Sequence, residues 1–169
     1  IPLVEKVEGA QLLGIPNAVG QNLRIYGNWY PMEGVEPRPG YDPELPWVSG
    51  NADVTSDEWV KAADVRRALV MAIDRQALVD TVLRGHGNIA TPIHMYDNFE
   101  YLLEGRDWEY NPEKAKQLIA DAGFPDGFSI TLTPSIRGAP AETESCEVIA
   151  QFWDDIGLDV KFQNIPYGT

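Results

Sequence analysis

Arg137 is the residue whose setting most suggests chemistry. It is the one cation in Ser135-Ile136-Arg137-Gly138-Ala139-Pro140, between a strand pattern and a helix pattern. A guanidinium there can pair bidentately with a carboxylate. Open α/β sheets take ligands beyond the carboxyl ends of their strands, which is where this loop falls. The plainer reading is a surface arginine on a loop of an acidic protein. Trp29 and Trp47, in or near a proline-rich stretch, could stack on a ligand, with core or loop packing as the competing role. Trp153 is in phase with a core stripe, while Trp59 and Trp108 fit either role.

Other chemistry finds less support. Gly85-His86-Gly87-Asn88-Ile89-Ala90 matches a dinucleotide fingerprint in spelling. That mechanism needs the glycines between a strand and a helix N-terminus. Here they follow a helix pattern and precede Pro92, so they read as a helix stop and a bend. His86, His94 and Asp97 share no spacing that fixes them on one face, which argues against a metal centre. No G-x-S-x-G elbow and no suggestive Cys–His pair occurs. We expect no catalysis, no cofactor and no bound metal.

Composition narrows the classes further. The 169 residues carry 26 acids against 13 bases, a formal net charge of −13. Nucleic acid is disfavoured as a partner, because a phosphate backbone needs a basic footprint. The plain reading of the acidity is a solvated surface. At 44% hydrophobic the chain can bury a core. Cys146 is the single cysteine, so no intrachain disulfide forms; it sits in an apolar helical pattern as a small hydrophobe. No run approaches the roughly 20 apolar residues of a spanning helix. No signal peptide opens the chain, which starts mid-pattern at Ile1-Pro2, and we read it as a segment of a longer protein.

The elements that must position these residues centre on Asp64 to Gly87. Val65, Ala68, Leu69, Ala72 and Ile73 fall on one helical stripe. Asp64 is placed to cap a helix over 65–73, with Arg66 and Arg67 on its opposite face. Thr55 to Glu58 fits a capping box for a turn leading in. Asp74 is placed to cap a second helix over 75–84, with Leu78, Val79, Val82 and Leu83 inward and Gly85 ending it. Asn111 and Pro112 open a third helix over 112–122, closed by Gly123. Asp126-Gly127 is a turn. Phe128, Ile130 and Leu132 alternate with polar residues as a strand over 128–133. A fourth helix covers 142–156, with Cys146, Ile149, Phe152, Trp153 and Ile156 inward, and a strand covers 158–164. Strand, crossover helix and strand imply a parallel pair. Leu23–Tyr30 alternates as a strand, and residues 31–54, with five prolines, form a long loop.

Two blocks carry a resemblance. Val-Arg-Arg-Ala-Leu-Val-Met-Ala-Ile-Asp-Arg, running on to Gly87, resembles the helix-pair block of solute-binding proteins of ABC importers, peptide/nickel type. Tyr110-Asn111-Pro112-Glu113-Lys114-Ala115-Lys116, then Leu118, Ala122, Gly123, Pro125, Gly127 and Phe128, resembles the block that leads into the family's next strand. The resemblance runs from Val65 to Ile165. It implies an α/β fold, a periplasmic-binding-protein-like lobe with helices on a mixed sheet and a parallel strand-helix-strand unit. Residues 1–169 would be part of the second lobe of a two-lobed receptor, with 31–54 an insertion. The implied work is capture of a peptide, oligosaccharide or metal chelate outside the cytoplasm, in the periplasm or anchored at the cell surface. Delivery would be to an ABC permease, with the receptor acting as a monomer. By the same resemblance Arg137 would line the cleft and meet a ligand carboxylate. An enzyme domain, which would show convergent perturbed titratable groups, and a stand-alone interaction domain, which would show a large apolar patch, are the other classes weighed.

Overall fold

A computed structural model describes residues 7, 23–27, 30–31, 34–36, 39–89, 109–134 and 141–163. Helix α1 spans Asp57–Met71. The sequence places Asp64 as its cap, but the cap is Ser56, eight residues earlier, which accepts from the Trp59 amide at 3.2 Å. Asp57 and Glu58 in the first turn suit the positive end of the helix dipole. Thr55 lies one residue before the cap, and its amide and hydroxyl both donate to the Asp53 carboxylate. Asp64 sits inside the helix and pairs with Arg67. The stripe itself is as the spacing predicts, with Val65, Ala68, Leu69, Ala72 and Ile73 buried, and Ala62 extends it toward the helix start.

Asp74 caps the next segment, accepting from the Ala77 amide at 2.9 Å. The expected helix over 75–84 is shorter and wider. Helix α2 is Arg75–Ala77 alone, and a π-helical turn continues from Leu78 to Val82. The Thr81 hydroxyl donates to the Ala77 carbonyl at 2.6 Å, occupying the acceptor that the α-helical ladder would use at that point. Leu83 then donates back to Leu78, five residues away, which is the π spacing. Arg84 and Gly85 take left-handed backbone and stop the segment.

Helix α3 spans Pro112–Asp121, and the Asn111 side chain accepts from the Lys114 amide as the sequence predicts. Ala115 and Ile119 face the core against α1. Strand β1 (Ser129–Leu132), helix α4 (Glu142–Asp155) and strand β2 (Asp159–Phe162) follow. The strands pair in parallel, Ser129 with Asp159 through Leu132 with Phe162. Among the described residues the sheet is this parallel pair, with no antiparallel strand.

Ile130, Leu132, Ile149, Trp153, Ile156 and Leu158 join the α1 stripe in one core cluster. Burying this much apolar surface is the main driving force for the packing. Phe152 and Cys146, expected inward, are half-buried at its edge. The described residues of 23–27 form no strand, and the Tyr26 carbonyl instead accepts from the Trp47 indole. The described residues of 31–54 hold neither helix nor strand, in line with a loop, yet Trp47, Val48 and Ser49 are buried.

Candidate functional site

The loop that carries Arg137 is bracketed by two well-anchored elements. On one side β1 runs into Thr133 and the buried Pro134, and the Leu132 carbonyl accepts from Gln163 at 3.0 Å. On the other side α4 starts at Glu142 with Ala141 in left-handed backbone and no capping side chain. Further along α4, the Trp153 indole is buried and bonded to the Leu69 carbonyl. The two ends of the loop are therefore held to one core. Arg137 itself, with residues 135–140, lies outside the described residues, as does Trp29.

Trp47, weighed above as a stacking surface, is a core residue. It is 8% exposed, its indole N–H donates to the Tyr26 carbonyl at 2.9 Å, and its ring lies 6.1 Å from that of Phe128. Its carbonyl accepts from the Arg66 guanidinium at 2.6 Å. The stripe places Arg66 on the face opposite the core. It is half-buried instead, 5.3 Å above the Trp59 ring, and burial, then its neighbour Arg67, lower its pKa. Helical periodicity gave no signal for this, because the partner is the loop at 47, far away in sequence. Trp59 also meets Tyr30 edge-on at 5.0 Å.

The glycine fingerprint fails its context test. Gly85 ends the π turn, and Asn88 and Ile89, the last described residues of that stretch, are not helical. A shallow open concavity of ≈ 390 Å³ lies beside it, lined by Gln76, Val79, Asp80, Gly85, Gly87, Asn88 and Ile89. Its carboxylate is already in use, since Asp80 accepts from the Gln76 amide at 2.8 Å. His86 is exposed; His94 and Asp97 lie outside the described residues. Among the described residues no three His, Cys, Asp or Glu side chains cluster for a metal. Burial first, and Glu142 second, push the Cys146 thiol above its ordinary range, so it stays protonated at neutral pH. Among the described residues no helix is long and apolar enough to cross a membrane.

Comparison with known proteins adds the missing context. The family model "Bacterial extracellular solute-binding proteins, family 5 Middle" matches residues 35–169. Heme-binding protein A of Haemophilus influenzae is 38% identical over 97 residues, 56% of this chain and 18% of that protein. Di/tripeptide-binding protein 1 of Pseudomonas aeruginosa is 31% identical over 108 residues, 62% of this chain and 20% of that protein. Among solved structures, a dipeptide-binding protein of a Pseudoalteromonas species in complex with Met-Leu superposes with a TM-score of 0.55. Its identity is 25%, over 62% of this chain and 21% of that one. HbpA2 from Haemophilus parasuis gives a TM-score of 0.52 at 33% identity, over 68% and 23%. The chain thus spans about one fifth of the length of these relatives.

Proposed function

The chain belongs to family 5 of the bacterial extracellular solute-binding proteins, and from that membership we propose that it is part of the second lobe of a two-lobed peptide receptor. The receptor closes its lobes on the ligand by a hinge and passes it to an ABC permease in the membrane. It works as a monomer, in the periplasm or anchored at the cell surface, and makes or breaks no bond. The observation that carries this reading is the family match over residues 35–169, which takes in the α1 stripe, the α3 block and the parallel strand-helix-strand unit. Heme-binding protein A and di/tripeptide-binding protein 1 are both named for binding, which supports binding without catalysis.

Peptide is the ligand class we favour. Relatives named for di- and tripeptides, for glutathione and for a bound Met-Leu dipeptide all fall among those that match. Arg137 is the side chain we place against the peptide's terminal carboxylate. In a chain of net charge −13, a cation in a loop of small residues locally reverses the field for an anionic group.

A second reading is a haem ligand, favoured by the 38% identity to a protein named for haem binding. Thermal-shift screening of the intact receptor separates the two. Di- and tripeptides and glutathione should raise the melting temperature in proportion to the logarithm of ligand concentration. A shift with haem alone, or with oligosaccharides or nickel chelates alone, would overturn the peptide assignment.

A further inference from the structure

We draw no further inference here: the strongest candidate, the partly exposed aromatic corner that Tyr30 and Trp59 form beside Arg66 at the start of α1, is a surface patch, and nothing in the structure shows what covers it.

Discussion

The indole nitrogen of Trp153 donates to the carbonyl oxygen of Leu69 at 2.9 Å, inside the core and across 84 positions of sequence. Leu69 lies in the last turn of α1, where carbonyls lose their partners four residues ahead. The natural donor, the Ile73 amide, instead reaches Val70 at 3.4 Å. Two residues on, the Met71 carbonyl accepts from the Asn111 amide at 2.9 Å, just where α3 is capped. The Arg75 guanidinium covers the Val70 and Ile73 carbonyls at 3.4 and 3.5 Å. One helix end is thus satisfied by α4, by the cap of α3 and by the start of α2. Apolar burial brings these elements together, and these bonds fix how they meet.

Trp153→Phe separates the two contributions. The ring volume is largely kept, but a buried carbonyl loses its donor, at a cost of about 1–3 kcal/mol. Trp153→Ala adds a cavity and should cost about 3–5 kcal/mol. Urea unfolding followed by circular dichroism measures both. A Phe variant as stable as the parent would mean that the bond to Leu69 contributes nothing net.

The turn before β1 makes a sharper demand. Gly127 has φ +74°, and a Cβ there would run into the Gly157 carbonyl oxygen. This close approach lets Phe128 accept from Asp159 at 3.0 Å and sets the parallel register. Gly123 also has positive φ, at +109°, but faces open space. Gly123→Ala should therefore cost roughly the 1–2 kcal/mol of left-handed backbone. Gly127→Ala should cost clearly more, because backbone must shift. Equal losses in denaturant unfolding would rule out the Gly157 contact as the cause.

Acid should weaken the link between the strands. Ser129 donates to the Asp159 carboxylate at 2.7 Å. That bond chiefly holds the Asp159 pKa below the ordinary carboxylate value; desolvation opposes it, and Lys161 adds a smaller lowering. A folded pKa below the unfolded one gives stability that is present at neutral pH and lost as pH falls through the folded pKa. Ser129→Ala should thus be less stable than the parent at about pH 7, with the gap narrowing as pH falls below the ordinary carboxylate range. An offset that is constant across that range would show that Asp159 ionisation is not involved.

Much of the fold was legible because burial obeys local periods. The α1 stripe, the Asn111 cap with Pro112 behind it, and the alternation of Phe128 to Leu132 are each written within a dozen residues. What escaped depends on partners distant in sequence or on competition between donors. Ser56 is the cap, while Thr55 beside it turns its amide and hydroxyl to the Asp53 carboxylate. The π turn follows where the Thr81 hydroxyl takes the Ala77 carbonyl. Trp47 is core because Tyr26, 21 positions before it, supplies the acceptor for its indole. The candidate site was legible only as a place, the loop between β1 and α4. A ligand contact across a cleft would depend on what stands on its other side, and no spacing along one chain records that.

Arg137 gives the functional prediction, and it rests on that place. The strand before it ends at Leu132 in a defined register, and the helix after it starts at Glu142, so the loop has fixed ends. Gly138, next to Arg137 in sequence, carries no side chain to obstruct a ligand. A charge-assisted hydrogen-bonded pair contributes about 1.5–3 kcal/mol, or roughly ten- to a hundredfold in affinity. Arg137→Ala in the intact receptor should weaken binding of a free-acid dipeptide by about that factor. The melting temperature without ligand should stay nearly the same, since a loop cation adds little to stability. Blocking the ligand's carboxylate as an amide removes the partner from the other side. The parent should then lose affinity for the amide to a similar extent, and the variant should lose little more. This double-mutant logic isolates the pair from any general effect of the substitution. Calorimetric titration of the four combinations decides it. Additive losses would exclude Arg137 as the carboxylate's partner and leave the receptor assignment itself untouched.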